Sequence, residues 1–221
     1  MTINRRAITE EQKKERREMI LQSALNLFHE FPYQSLTMTQ IAAEAGIAKG
    51  TLFLYFETKE ELFLALSWRE YEKCFTKIVL ELRKYYESSA ICSLETFLDI
   101  LRDTYVNSQD FLRLIAIGSV ILEQNVGFES ALNFKLMLAK QNEYIGMLLE
   151  KIFPFLRQGE GKMLLLQIHA ITIGIQHLAE PTSVIKQVIN DERLGIFRIN
   201  FNEFFLTTIR VFLMGLEARG R

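Results

Sequence analysis

Proline and cysteine are both scarce. Three prolines in 221 residues leave long stretches with nothing to interrupt a helix. The two cysteines, Cys74 and Cys92, form neither a metal-ligand spacing nor a disulfide framework. Two reduced, buried thiols are the expectation, with a redox sensor as the alternative. An excess of either charge is also missing: 26 Lys and Arg oppose 27 Asp and Glu, a formal net charge of −1. A globally basic nucleic-acid coat is therefore excluded, and any affinity for phosphate must come from a local patch.

Long apolar runs are absent too. Phe111–Leu122 is short and carries Arg113, while Met163–Ala179 is broken by Gln167, His169, Gln176 and His177. Both fall short of the roughly 20 apolar residues that span a bilayer. The opening MTINRRAITEEQKKERRE has no apolar signal-peptide core. These features predict a soluble cytoplasmic protein with no membrane partner. Catalytic constellations are lacking as well. His169 and His177 lie eight apart rather than the four that puts two ligands side by side on a helix, and His29 stands alone. With no nucleophile elbow, phosphate loop or acid pair, the sequence predicts no enzyme, no cofactor and no metal site.

What is present is helical. Apolar residues make up 49% of the chain, and the abundance of Leu, Glu, Lys, Ile and Phe points to an all-α fold. Ile20, Ala24, Leu27, Phe28 and Phe31 recur on one helical face, so a first helix is expected from about Thr9 to Phe31, stopped by Pro32. Thr37 with Gln40 three residues on is a capping-box pattern that opens a short second helix, and Gly46 suits the left-handed residue that ends it. A second short helix covers Lys49–Phe56. Thr58-Lys59-Glu60-Glu61 repeats the capping-box pattern and opens a long helix through Leu62, Leu66, Trp68 and Tyr71 to about Tyr86. Further helices are expected over Leu94–Asn107, Asp110–Gln124, Phe128–Phe153, Lys162–Ala179, Thr182–Ile189 and Ile199–Glu217.

Two short helices joined by a glycine turn behind a longer supporting helix make a helix-turn-helix. In that motif the second helix lies in the major groove with its first residues at base edges. From Gly46 to Phe56 the only charged residue is Lys49, and the helix start adds a partial positive charge and open N–H groups. Gly50 allows close backbone approach, Thr51 and Tyr55 offer hydroxyls, and Lys59 is placed to reach a flanking phosphate. Ile41, Ala45, Ile47, Leu52 and Phe56 read as core. The Arg5–Arg17 charges read as a solvated face, with phosphate contact as the alternative. Residues 1–56 hold 7 basic and 6 acidic side chains, so useful charge must be placed rather than abundant.

The run LTMTQIAAEAGIAKGTLFLYFETKEELF resembles the TetR-type DNA-binding domain in order and spacing, over about Arg17–Leu66. The resemblance implies an N-terminal three-helix bundle with a helix-turn-helix over residues 1–66, and a larger helical effector-binding and dimerisation domain over 67–221. It implies DNA contacts at Thr37, Met38, Thr39, Lys49, Gly50, Thr51, Phe53, Tyr55 and Lys59. It implies a homodimer, through about 162–179 and 199–217, on a palindromic double-stranded DNA operator. Most such proteins are repressors released by a small molecule. Two departures stand out: Ala48 replaces the usual Ser or Thr cap before the recognition helix, and Phe53 replaces a common Tyr, trading a hydroxyl for a ring that can touch a thymine methyl.

If the resemblance carries an effector pocket, its candidates are Phe97, Tyr105, Phe111, Asn133, Phe134, Met137, Gln141, Tyr144 and His169. The surplus of Phe and Leu favours a lipophilic or aromatic effector. At helical spacing such aromatics are core far more often than pocket, and only the resemblance favours a pocket. An activator, a constitutive DNA binder without effector, and an all-helical protein-interaction module are the alternatives.

Overall fold

The computed structural model describes residues 9–118, 122 and 125–220. Among them there is no strand, and ten α-helices carry the fold: α1 Glu10–Glu30, α2 Met38–Glu44, α3 Lys49–Leu52, α4 Lys59–Ser88, α5 Leu94–Leu101, α6 Gln109–Ile117, α7 Phe128–Ile152, α8 Glu160–Ala179, α9 Ser183–Val188 and α10 Phe201–Gly220. The end of the segment expected over Asp110–Gln124, and the Arg5 end of the N-terminal charge run, lie outside the described residues. No helix among those described is long and apolar enough to cross a membrane.

The helix boundaries follow local chemistry. Thr9 and Gln12 form a reciprocal capping box at the start of α1. At its end Phe31 adopts an extended conformation before Pro32. That turns Phe31 out to solvent, away from the face its spacing assigned it to. Thr58 caps α4 by accepting from the Glu61 amide. The reciprocal bond expected of a capping box goes elsewhere, because the Glu61 carboxylate accepts from the Glu57 amide instead. Helix α4 ends one turn's fraction later than expected, at Ser88, where Ser89 takes a left-handed conformation. The stretch read as one helix over Leu94–Asn107 changes winding at Arg102–Val106, a π-helical turn. A 3-10 turn at Glu192–Phe197, between α9 and α10, had no sequence signal.

Two cores form. The N-terminal core packs Ile20, Leu21, Ala24 and Phe28 of α1 against Ile41, Ala42, Leu52, Phe56 and, from α4, Leu62, Phe63 and Leu66. Phe63 is its pivot, with the rings of Phe28 and Tyr33 edge-on at 5.3 and 5.0 Å. The second core takes the next turns of α4, from Tyr71 and Cys74 onward, together with α5–α8 and α10. Helix α4 thus belongs to both. Leu114 of α6 and Leu122 also enter the N-terminal core, so α6 is a second tie between the halves.

Within the larger core α7 and α8 approach unusually closely. A Cβ on Gly161 would lie 2.1 Å from the Gly146 carbonyl oxygen, so neither position has room for a side chain. Beside this contact the Glu150 carboxylate accepts from the Gly159 and Gly161 amides at 2.9 Å each, satisfying open donors at the start of α8. Both thiols are buried. Burial pushes Cys74 up to about 12 and Cys92 up to about 11, which keeps them protonated and unreactive.

Candidate nucleic-acid interface

The helix-turn-helix is built on three local devices. The Thr37 side chain accepts from the Gln40 amide, and the Gln40 side chain accepts from the Thr37 amide. Gly46 takes φ +64°, and the turn closes with Gly46 N–H to Ala43 O at 3.1 Å and Ile47 N–H to Ala42 O at 3.0 Å. That pair of bonds is a Schellman motif, which requires a left-handed residue at the position Gly46 occupies. The third device is a missing one: Ala48, extended at the start of α3, supplies no side-chain cap. The Lys49 and Gly50 amides are therefore left without helical acceptors at the tip of the motif.

The predicted contact residues fall into two groups. Thr39, Lys49, Gly50 and Phe53 are exposed, and Thr51 and Tyr55 are half-buried beside them. The Lys49 ammonium lies 5.9 Å from the Phe53 ring. Gly50 has nothing within 4 Å of where a Cβ would stand, so its backbone is open on the outer face. Leu54, which the sequence reading passed over, is the most exposed apolar side chain of this turn, at 83%. The other group is turned to structural work. The Thr37 hydroxyl is held by Gln40, and Met38 packs on the N-terminal core. Lys59 donates to the carbonyls of Tyr33 and Leu36 at 3.0 and 2.9 Å and sits 4.1 Å above the Tyr33 ring. Burial there holds its ammonium below the usual lysine range. Its partners are carbonyls of the 3-10 turn Tyr33–Ser35 and its cap Leu36, 26 and 23 residues upstream, a pairing invisible to spacing.

The Arg17 guanidinium lies 5.0 Å over Phe56, on the flank of this face. The Tyr33 hydroxyl donates to Glu60 at 2.7 Å, and burial with that bond raises its phenol well above the ordinary range. Tyr33 is thereby fixed as a strut and is no reader of DNA.

The nine effector candidates do not converge on one cavity. Phe97, Tyr105, Phe111 and Phe134 are buried core. Tyr71 is ringed by Phe75, Phe111, Phe134 and His169, and Tyr105 meets Phe111 edge-on and stacks on Phe205. Met137 and Gln141 are half-buried on α7, and Asn133 and Tyr144 are exposed there. His169 is half-buried, with Nδ1 3.4 Å from the Tyr71 hydroxyl. Phe134 and His169 share a residual hole of about 60 Å³, far below the ~300 Å³ of a small-molecule pocket. Asn133 and Phe134 also line a separate cleft of about 440 Å³ beside Arg17, Tyr55 and Trp68, outside the aromatic cluster around Tyr71. Among the described residues no group of three or more His, Cys, Asp or Glu could hold a metal ion.

An N-terminal helix-turn-helix with an exposed reading face, carried by a larger all-helical body, defines a helical DNA-binding regulator fold. Residues 20–66 match the family model of bacterial regulatory proteins of the tetR family, and residues 69–220 match that of the tetracyclin repressor-like C-terminal domain. The chain belongs to the TetR family, whose members are non-enzymatic, DNA-binding transcriptional regulators that act as dimers.

Individual relatives agree. The uncharacterized HTH-type transcriptional regulator YuxN of Bacillus subtilis is 39% identical over 66 residues, 30% of this chain and 23% of that protein. The nucleoid occlusion factor SlmA of Shewanella pealeana is 27% identical over 149 residues, 66% of each. The chain thus spans under a quarter of YuxN and about two thirds of SlmA. In fold, a possible TetR-family regulator from Streptomyces coelicolor A3(2) superposes with a TM-score of 0.57 at 16% identity, covering 91% of this chain and 98% of that one. A putative TetR-family regulator from Mesorhizobium loti gives 0.53 at 16% identity, covering 88% and 96%.

Proposed function

We propose that the protein is a homodimeric, sequence-specific repressor that reads a two-fold operator with α3 and leaves it when a small molecule binds. The observation that carries the reading is the exposed Lys49–Tyr55 face. It is a surface with one cation and no acid, an open backbone at Gly50 and an unfilled cap at Ala48. Lys49 and the α3 amides meet phosphate, Thr51 and Tyr55 supply hydroxyls, and Phe53 offers its ring to a thymine methyl.

The dimer face is supported by two stripes on adjacent late helices. On α8, Met163, Leu166, Ala170, Gly174 and Leu178 are exposed at intervals of three and four residues. On α10 the exposed stripe runs through Phe204, Thr207, Val211, Met214 and Ala218. Each mixes large apolar groups with small ones, so a facing helix pair could pack closely and bury both stripes. All but Ala218 fall within the segments 162–179 and 199–217. A two-fold pair would set its recognition helices about 34–36 Å apart, one turn of DNA.

The test is a gel shift with DNA upstream of the protein's own locus, comparing Lys49→Ala and Tyr55→Ala with the unaltered chain. Both variants should bind more weakly, Lys49→Ala at unchanged thermal stability and Tyr55→Ala, whose ring packs on the N-terminal core, with some loss of it. Equal binding by both would remove α3 from the interface. The solid core around Tyr71 favours a second reading, a DNA binder with no effector. It predicts that no small molecule shifts the complex.

A further inference from the structure

A wide cleft lies outside the aromatic core, at the joint between the two halves. It holds about 870 Å³, within the range of small-molecule sites. Phe28 at the end of α1 and Tyr33 form one wall, α6 gives the floor with Leu112 and Arg113, and Gln176 of α8 with Phe201 of α10 close the far side. Sequence spacing could not reveal it, since it joins residues from four helices and a turn.

Two polar groups in this cleft have no charged partner among the described residues. The Arg113 guanidinium sits 4.3 Å over the Phe28 ring and donates to the His29 carbonyl oxygen at a long 3.4 Å. It has no acidic partner among the described residues. Asp110, one turn earlier, is taken by His29 at 2.5 Å, and Glu180 on the cleft rim is paired with Lys186 at 2.8 Å. Gln176 is 6% exposed and lines the cleft on the far side from Arg113. Apolar wall residues such as Phe28, Leu112 and Phe201, a cation without an acid and the Gln176 amide in the lining match an apolar body ending in a carboxylate, which a guanidinium grips more strongly than a neutral partner.

We propose that this cleft is the effector site, and that its ligand class is a small carboxylic acid with an aromatic or aliphatic body, held by Arg113 and Gln176. The assignment rests on the effector-release reading above. It also names the lever: the ligand would sit against Phe28, beside the His29–Asp110 and Arg113–His29 links that tie α1 to α6. Occupancy would push on the supporting helix of the DNA-reading domain directly.

Calorimetric titration of the full chain, without DNA, with 2-naphthoate and octanoate tests it, with 2-naphthamide as the uncharged control. At least one acid should bind at about 1 mM or below and the amide at least about tenfold more weakly. Arg113→Gln should weaken the acid by about tenfold or more, and Arg113→Lys should recover part of that loss. Ala116→Trp, which fills the cleft, should abolish binding at a retained melting temperature. Failure of both acids, equal binding of the amide, or indifference to Arg113→Gln and Ala116→Trp overturns the site. Because no DNA is present, a chain that takes the acid yet ignores every operator refutes the repressor reading alone. A chain that binds DNA but neither acid refutes only the cleft.

Discussion

Gly161→Ala is the severest single-methyl change the fold offers. The new Cβ would stand 2.1 Å from the Gly146 carbonyl oxygen and 2.8 Å from its carbon, where ordinary contact begins at 3.4 Å. Both clashing partners are backbone, so no side chain can rotate away. Helices α7 and α8 would have to separate by about 1 Å, a gap that forfeits a quarter to a half of each dispersion contact across the seam. That seam includes Ile145, Leu148 and Leu149 facing Leu164, Leu165 and Ile168. Overpacking of this kind costs about 3 kcal/mol. The helix-propensity gain of alanine over glycine returns at most about 1 kcal/mol, and less in the first turn of α8. A net loss of about 2–3 kcal/mol should appear in urea unfolding followed by circular dichroism at fixed protein concentration, with unchanged m. Gly50→Ala is the control: with nothing within 4 Å of its Cβ, it should stabilise by about 0.5–1 kcal/mol. A Gly161→Ala midpoint within about 0.5 kcal/mol of the parent would refute the claimed contact.

Three further outcomes follow from the same geometry. Lys59→Met, which strips two hydrogen bonds from half-buried carbonyls, should cost about 2 kcal/mol of stability. Lys49→Ala should leave stability unchanged in the same melts, and equal melting of the two variants would return Lys59 to the DNA face. Alkali should destabilise the fold. Cys74 and Cys92 hold their protons to about 12 and 11 when folded against an ordinary 9.0, so the folded state binds more protons and stability falls as pH rises from 9 towards 12. The urea midpoint should drop between about pH 8 and pH 10.5, and drop less in Cys74→Ala; identical pH slopes would rule out the thiol. Val211→Glu would place a lone charge on the α10 stripe, costing about 3 kcal/mol or more once buried. Sedimentation should then show monomer where the parent is dimer, and an unchanged dimer would move the interface elsewhere.

Much of the DNA-reading half was legible because its signals are local. Thr37 with Gln40, the left-handed Gly46 and the empty cap at Ala48 each act within five residues, and the structure places them as the spacing implied. Legibility failed where partners are distant. Lys59 looked like a phosphate ligand because nothing nearby in sequence claims it, yet the carbonyls of Tyr33 and Leu36 do. Glu61 looked like the second half of a capping box but bonds one residue earlier. The π-turn at Arg102–Val106 leaves apolar spacing nearly intact, so Leu94–Asn107 read as one helix.

The C-terminal half was the least legible. Phe97, Tyr105, Phe111 and Phe134 carry the same hydrophobic signal whether they line a hole or fill one, and here they fill it. The open cleft is instead made by Phe28, Arg113, Gln176 and Phe201, whose meeting depends on how α6 and α8 pack behind α1.

Footprinting of the dimer on DNA from its own promoter tests the central claim most directly. The account predicts two symmetric protected half-sites with centres about one helical turn apart, weakening steeply with added salt and lost in Lys49→Ala. Protection without two-fold symmetry, or protection that survives both the salt and the substitution, would contradict it.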